Sequence, residues 1–259
     1  MIFAIDIGNT NIVLGCIRNS RILFTERLST DRKKTSLEYA ISFKNVLEMQ
    51  GYDPKDVTGA VIASVVPPIT TVISEALQKI TGCQPMIVGP GVKTGLNIQM
   101  DNPASVGADL IVGAVAGIEE YSCPLILIDM GTATTISVVD ENQKYIGGMI
   151  LPGVGVSLDS LTSQTSQLPR ISLDPPKRLI GKNTVECMKS GILFGNASTI
   201  DGMIDRIEEE LGRSAERVAT GGLAGSIIPL CRHSITLDNE LLLKGLSIIY
   251  EKNRQEGKR

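Results

Sequence analysis

The chain has 259 residues, 42% hydrophobic and 20% charged, with a formal net charge of −3. That balance excludes a disordered chain and fits a soluble globular protein of one large domain or two ordinary ones. It offers nothing to attract nucleic acid or an anionic membrane, so any anion site must come from local geometry.

Aromatic residues are only 3% of the chain and Trp is absent, which leaves the core to Ile, Val, Leu, Ala and Met. The cysteines are Cys16, Cys83, Cys123, Cys187 and Cys231, an odd number without a CxxC pair. This argues against a disulfide framework or a structural zinc and for reduced thiols in a cytoplasmic protein. The longest apolar runs have strand length, well short of a membrane span, and the first strand begins at once, with no signal-peptide pattern. His233 is the single histidine, which excludes a His-rich metal site. A Ser-His-Asp triad finds no GxSxG context, and His233 reads as a surface or strand-edge residue.

In chain order, Ile2 to Leu14 holds an apolar run, the turn Asp6-Ile7-Gly8-Asn9-Thr10-Asn11 and a second apolar run. Glycine lets backbone approach a ligand closely, and Asn and Thr supply hydrogen-bonding groups for phosphate oxygens. Ile12–Ile17 and Ile22–Leu28 read as strands joined by a polar hairpin turn, and Leu28 to Ser36 as a polar loop. The spacing of Leu37, Ala40, Ile41, Val46 and Leu47 predicts a helix over 37–49. Ala60–Val66 reads as a buried strand, and Pro67-Pro68 opens a helix that Gly82 ends. A short apolar run follows at 85–88, and from about Ser105 a helix carries Gly107-Ala108-Asp109-Leu110 on its first turns.

The second half opens with Leu125–Ile128, the turn Asp129-Met130-Gly131-Thr132-Ala133-Thr134-Thr135, a strand to Val139 and a return strand over 144–150. This repeats the first segment with an offset of 123 residues, from Asp6 to Asp129. Helices are expected over 156–168 and 185–210, separated by a Pro- and Arg-rich loop, with Thr184 suited to a helix cap. Val218–Gly222 leads into a helix-length segment, then a strand over 234–237, a helix over 241–253 and a charged tail over 252–259. Repeated order predicts duplicated α/β domains, 1–117 and 118–259, facing each other across a cleft with a phosphate turn at the end of each first strand. No GxxxxGK[ST] is present, so the phosphate cradle is not a P-loop.

Paired Asp-Gly-Thr turns, a third carboxylate and Thr220-Gly221-Gly222 before a helix are the layout of an actin-like, sugar-kinase-like nucleotide cleft. These motifs, together with Gly147-Gly148-Met149-Ile150-Leu151-Pro152-Gly153 and Gly181-Lys182-Asn183-Thr184, stand in the order of the type III pantothenate kinases, which the chain resembles nearly end to end. The resemblance implies two duplicated actin-like ATPase (ribonuclease H-like) domains, a homodimer, and ATP-dependent phosphorylation of pantothenate, the first step toward coenzyme A. It implies Mg²⁺ with ATP and a monovalent cation, K⁺ or NH₄⁺. It implies that Asp6, Ile7, Gly8, Asn9, Thr10, Asn11, Ile12 and Val13, with Thr132, hold ATP. Asp129 would bind the monovalent cation, Asp109 would be the general base, and Gly107, Ala108, Asp109, Leu110 and Thr184 would line the pantothenate site.

Two positions depart from the family pattern. Leu110 stands where Arg is usual, and Met100 where a tyrosine often precedes Asp-Asn-Pro. Arg grips a carboxylate with two charge-assisted bonds that Leu lacks. This leaves open replacement by another basic group, with Arg170 and Arg178 as candidates, a different small acceptor, or a non-catalytic nucleotide-binding paralogue.

Overall fold

A computed structural model describes residues 1–256, and the last three residues of the expected charged tail lie outside them. The chain divides into two compact units. The first comprises Met1–Leu96, Asp101–Glu119 and the chain from Glu240 on; the second comprises Asn97–Met100 and Glu120–Asn239.

The first unit holds β1 (Ile2–Ile7), β2 (Asn11–Arg18), β3 (Arg21–Ser29), α1 (Ser36–Met49), β4 (Gly59–Ser64), α2 (Pro67–Thr81) and β5 (Met86–Ile87). Their sheet runs β3-β2-β1-β4-β5, with β1 and β2 antiparallel and β1 and β4 parallel. Strands covered on both faces need apolar side chains on both, which is why β1 and β4 read as continuous runs. The period of two divides them: Phe3, Ile5 and Ile7 pack with Tyr39, Phe43, Leu47, Ile69 and Ile73 of α1 and α2. Ile2 and Ala4 face the other way, toward Val112, Val115, Leu243, Leu246 and Ile249. The last five lie on α3 (Ala108–Glu120) and on α7 (Leu241–Glu256).

The second unit repeats the plan with β7 (Leu125–Met130), β8 (Ala133–Val139), β9 (Lys144–Pro152), α4 (Val154–Ser163), α5 (Thr184–Leu211), β10 (Glu216–Thr220), α6 (Ala224–Ile227) and β11 (Thr236–Leu237). The sheet order is β11-β10-β7-β8-β9-β6, so β7 to β11 take the places of β1, β2, β3, β4 and β5, and β6 (Asn97–Ile98) adds an edge strand beside β9. The apolar stripe of α5, through Met188, Ile192, Ala197, Ile200, Ile204 and Ile207, covers Ile126, Ile128 and Met130. Gly212, in the left-handed region at φ 67°, ends that helix.

Four elements differ from expectation. The helix expected from Ser105 begins at Ala108, because Pro103–Ser105 closes a separate 3-10 turn. The helix expected over 156–168 spans Val154–Ser163 and stops before a polar Ser, Thr and Gln stretch. Asn183 rather than Thr184 caps α5, its side chain accepting from the Glu186 N–H. The last helix, grouped by the 117/118 division with the second half, packs on the sheet of the first unit.

Candidate functional site

Each first strand ends on an aspartate. Asp6, 9% exposed, is register partner to Val13 of β2 and Ala63 of β4. Strand alternation puts it on the sheet face shared by Ile2 and Ala4, the face that α3 covers. After Ile7 the chain turns through Gly8–Asn11, closed by the Gly8 N–H donating to the Asn11 carbonyl at 3.0 Å. A Cβ on Gly8 would lie 3.0 Å from that same oxygen.

Asp109 sits in the first turn of α3, on that same side. Its Oδ1 accepts from the Leu110 N–H at 2.8 Å. Burial raises the carboxyl pKa above the ordinary Asp value, and the Leu110 bond only partly offsets it. Gly107 makes room for this carboxylate, since a Cβ there would stand 2.4 Å from Asp109 Oδ1. Val65 joins the two features: its N–H donates to the Ile7 carbonyl at 3.1 Å, and its Cγ1 lies 3.7 Å from the same Gly107 Cβ position. The first unit thus brings the Asp6 turn, Gly107, Ala108, Asp109 and Leu110 to one end of its sheet. Leu110 is half-buried.

The second unit carries the counterpart turn. Asp129 pairs in register with Thr135 of β8 and Thr220 of β10, and the Gly131 N–H donates to the Ala133 carbonyl at 3.0 Å. Gly221 has φ +100°, and a Cβ on it would sit 2.6 Å from Asp129 Oδ1 and from the Met130 nitrogen. Gly153 packs as closely, with its N–H donating to the Thr132 carbonyl at 3.1 Å and no space for a Cβ beside that oxygen. Thr132 is exposed, and Asp129 is half-buried. The Asp129 carboxylate supplies hard oxygen donors, the kind that suit a hard cation. No cluster of three or more His, Cys, Asp or Glu suited to a metal occurs among the described residues.

Thr184 stands at the first position of α5. It lines a cavity of about 390 Å³ with Leu161, Leu168, Cys187, Met188, Gly191 and Ile192. With Asn183 serving as the cap, the Thr184 hydroxyl is not needed to close the helix. The segment before it is fastened to α5: Lys189, 9% exposed, donates to Asp174 Oδ2 at 2.6 Å, and the Glu186 carboxylate accepts the Lys177 N–H at 3.0 Å. Arg170 and Arg178 are exposed along this segment. Met100 lies 3.7 Å from a Cβ position on Gly147. His233 forms a surface pair with Asp205 at 2.7 Å, a structural role on α5.

Sequence reasoning passed over Lys189 and the residues that brace the first turn, Thr30 and Arg32. Lys189 carried a signal, a cation at a position of the α5 apolar stripe. The brace carried only the basic run Arg32-Lys33-Lys34.

The family model described as type III pantothenate kinase matches residues 2–206. A type III pantothenate kinase of Moorella thermoacetica is 47% identical over 253 residues, covering 98% of this chain and 100% of the relative. Among solved structures, the activator of the 2-hydroxyisocaproyl-CoA dehydratase from Clostridium difficile, with bound ADPNP, superposes with a TM-score of 0.60 at 12% identity over 100% of this chain and 97% of its own. The ROK hexokinase of Thermus thermophilus gives a TM-score of 0.50 at 13% identity, over 98% and 99% of the two chains. These two likenesses establish the fold as actin-like, as the motif order predicted. The family match across most of the chain, with a full-length relative at nearly half identity, establishes that the chain belongs to the type III pantothenate kinases.

Proposed function

We propose that this chain transfers the γ-phosphoryl group of ATP to the primary hydroxyl of pantothenate, the first step toward coenzyme A. The observation that carries the reading is the 47% identity over nearly the whole chain to a type III pantothenate kinase. Asp109 is the general base: its carboxylate takes the hydroxyl proton as the oxygen attacks the γ-phosphorus, and ADP leaves with the electrons of the broken P–O bond. Its burial supports the role, because a carboxylate kept from water holds a proton better than an exposed one. Asp6 to Val13, with Thr132, hold ATP. Gly107 to Leu110 and Thr184 line the pantothenate site.

Mg²⁺ bound with ATP offsets phosphate charge. Asp129 holds a monovalent cation, K⁺ or NH₄⁺, in this reading. The enzyme is a cytoplasmic homodimer in this reading. No helix among the described residues is long and apolar enough to cross a membrane. The non-catalytic reading rests on the departures at Leu110 and Met100, while Asp109 is kept and its Oδ1 accepts the Leu110 N–H.

The test is incubation of the protein with ATP, Mg²⁺, K⁺ or NH₄⁺, and pantothenate. Phosphopantothenate is the expected product. Folded protein that makes none with either cation overturns the proposal. A Leu110→Arg variant reports on the acceptor pocket: unchanged turnover means that other groups already hold the pantothenate carboxylate.

A further inference from the structure

The loop between β3 and α1 is polar in sequence, yet it is held at both ends. The Thr30 N–H donates to the Thr10 carbonyl at 2.9 Å, and the Thr30 hydroxyl donates to the Gly8 carbonyl at 2.7 Å. Both acceptors lie in the first phosphate turn. One residue on, the Asp31 N–H donates to the Tyr39 hydroxyl at 3.0 Å, and that hydroxyl donates to the Asp31 carbonyl at 2.8 Å. Tyr39 is fully buried, so this anchor is part of the core. At the far end, Thr35 and Glu38 form a capping box that starts α1.

Arg32 hangs between these anchors. Its Nη2 donates to Asn9 Oδ1, on the phosphate turn, at 3.0 Å. A guanidinium has five N–H donors in a rigid fork, and one amide oxygen engages one of them. Arg32 and Asn9 are both exposed, so the fork faces solvent beside the turn. The Asp31 carboxylate accepts the Lys33 backbone N–H at 2.9 Å, and the Lys34 ammonium lies over the Tyr39 ring, 5.5 Å from its centroid. A cation on a loop already ordered binds an anion without the cost of ordering the loop first.

We propose that Arg32 is a phosphate-binding residue for the nucleotide, carried on a braced loop and aimed by Asn9 at the anion that the Gly8–Asn11 turn receives. The inference rests on the reading of that turn as part of the ATP site. It supplies a protein cation for the phosphates, which the motifs in the two turns do not contain.

Calorimetric titration with Mg·ATP and with adenosine tests it, on the wild type and on Arg32→Ala, Arg32→Lys and Gly8→Val. Arg32→Ala is expected to weaken Mg·ATP binding about 10- to 100-fold, the range for a lost charge-assisted bond. It leaves adenosine binding within about twofold and flattens the salt dependence of ATP binding. Arg32→Lys recovers part of the loss. An Arg32→Ala protein that binds Mg·ATP like the wild type overturns the proposal, as does an equal loss for ATP and adenosine, which marks Arg32 as a brace only. Gly8→Val reports on the turn: intact ATP binding there removes the turn from the ATP site and the proposal with it. Loss in Gly8→Val with none in Arg32→Ala removes Arg32 alone.

Discussion

The two units build the same strand–turn–strand motif and hold it by different means. In the first, Asp6 and Val13 are register partners around a turn one residue longer than that between Asp129 and Thr135 in the second. The longer turn is braced from outside by side chains, with Thr30 on Gly8 and Arg32 on Asn9. The shorter one is braced by closeness, with Gly221 against Asp129 and Gly153 against Thr132, where a Cβ would overlap backbone. Hydrogen-bonded side chains can be exchanged one at a time with modest loss. A contact that depends on a missing Cβ has no conservative replacement.

The carboxylate at the start of α3 has no counterpart in the second unit, and the largest expected effect is there. Asp109→Asn should lower kcat by roughly 10²- to 10⁴-fold, the usual worth of a general base, with ATP binding retained in calorimetry. Stability moves the other way. Because the folded pKa is raised, the native state takes up a proton more readily than the unfolded chain. The associated stability is present below the unfolded value and is lost as pH rises through the folded one. At neutral pH the native state therefore carries a desolvated charge that Asn does not. Asp109→Asn should melt at a higher temperature than the wild type at pH 7, with the difference closing as pH falls. The wild-type rate should lose activity on its acid side at a higher pH than an ordinary, solvated Asp would set. Full turnover in Asp109→Asn removes the residue from the base role.

Next in size is the contrast between the two glycines. Gly221→Ala faces a positive φ, costing about 1–2 kcal/mol, and backbone overlap, costing about 1–3 kcal/mol; the sum is about 2–5 kcal/mol. Gly8→Ala meets one carbonyl oxygen at 3.0 Å and needs a shift of a few tenths of an ångström; about 1 kcal/mol is expected from such mild overpacking. Urea unfolding of both variants measures the difference. Equal losses would mean that the turns are held alike.

How far these features were legible in the chain follows from the range of the forces involved. The repeated Asp-x-Gly turns, the hairpins and the buried strands are written in local composition and in the period of two, and they appear where the pattern put them. The pattern of Leu243, Leu246 and Ile249 shows that α7 buries a face. It does not show which sheet receives that face, since any apolar surface of matching shape serves. The pairing of Asn97–Ile98 with Lys144–Tyr145 joins two-residue segments with no alternation to read. Thr184 looked like a cap because Thr favours that position, but the adjacent Asn183 satisfies the same N–H. For the site, the carboxylates and glycines were legible as residue types; the overlaps that require Gly107, Gly153 and Gly221 depend on distant backbone and were not. Arg32 belongs to the same class, because its bond to Asn9 crosses 23 residues.

Thr30→Val probes the brace of the longer turn without touching its backbone. The variant keeps its shape and its N–H bond to Thr10 but withdraws the hydroxyl from the Gly8 carbonyl. A net loss of about 1 kcal/mol is expected, the ordinary worth of one such bond. A larger loss, accompanied by weaker ATP binding, would show that the loop and the turn order together.

The smallest expected effect has the opposite sign and sits at a position the two units share. Ile12 follows the first turn as the register partner of Ile7, and Thr134 follows the second as the partner of Met130. Both side chains face the interior. Ile12 is fully buried in its core, and Thr134, 4% exposed, shares a strand face with the core residues Ile136 and Val138. The Thr134 hydroxyl has no hydrogen-bond partner there. A buried hydroxyl without a partner forfeits its bond to water and receives nothing in exchange. Thr134→Val removes that hydroxyl at nearly constant shape and makes the second unit resemble the first. Stability should rise by about 1 kcal/mol, near the low end of the penalty for an unmatched buried group. The urea midpoint should increase with the slope unchanged. A fall in stability would mean that the hydroxyl is bonded in solution, and the two turns would then differ in their hydration as well as in their bracing.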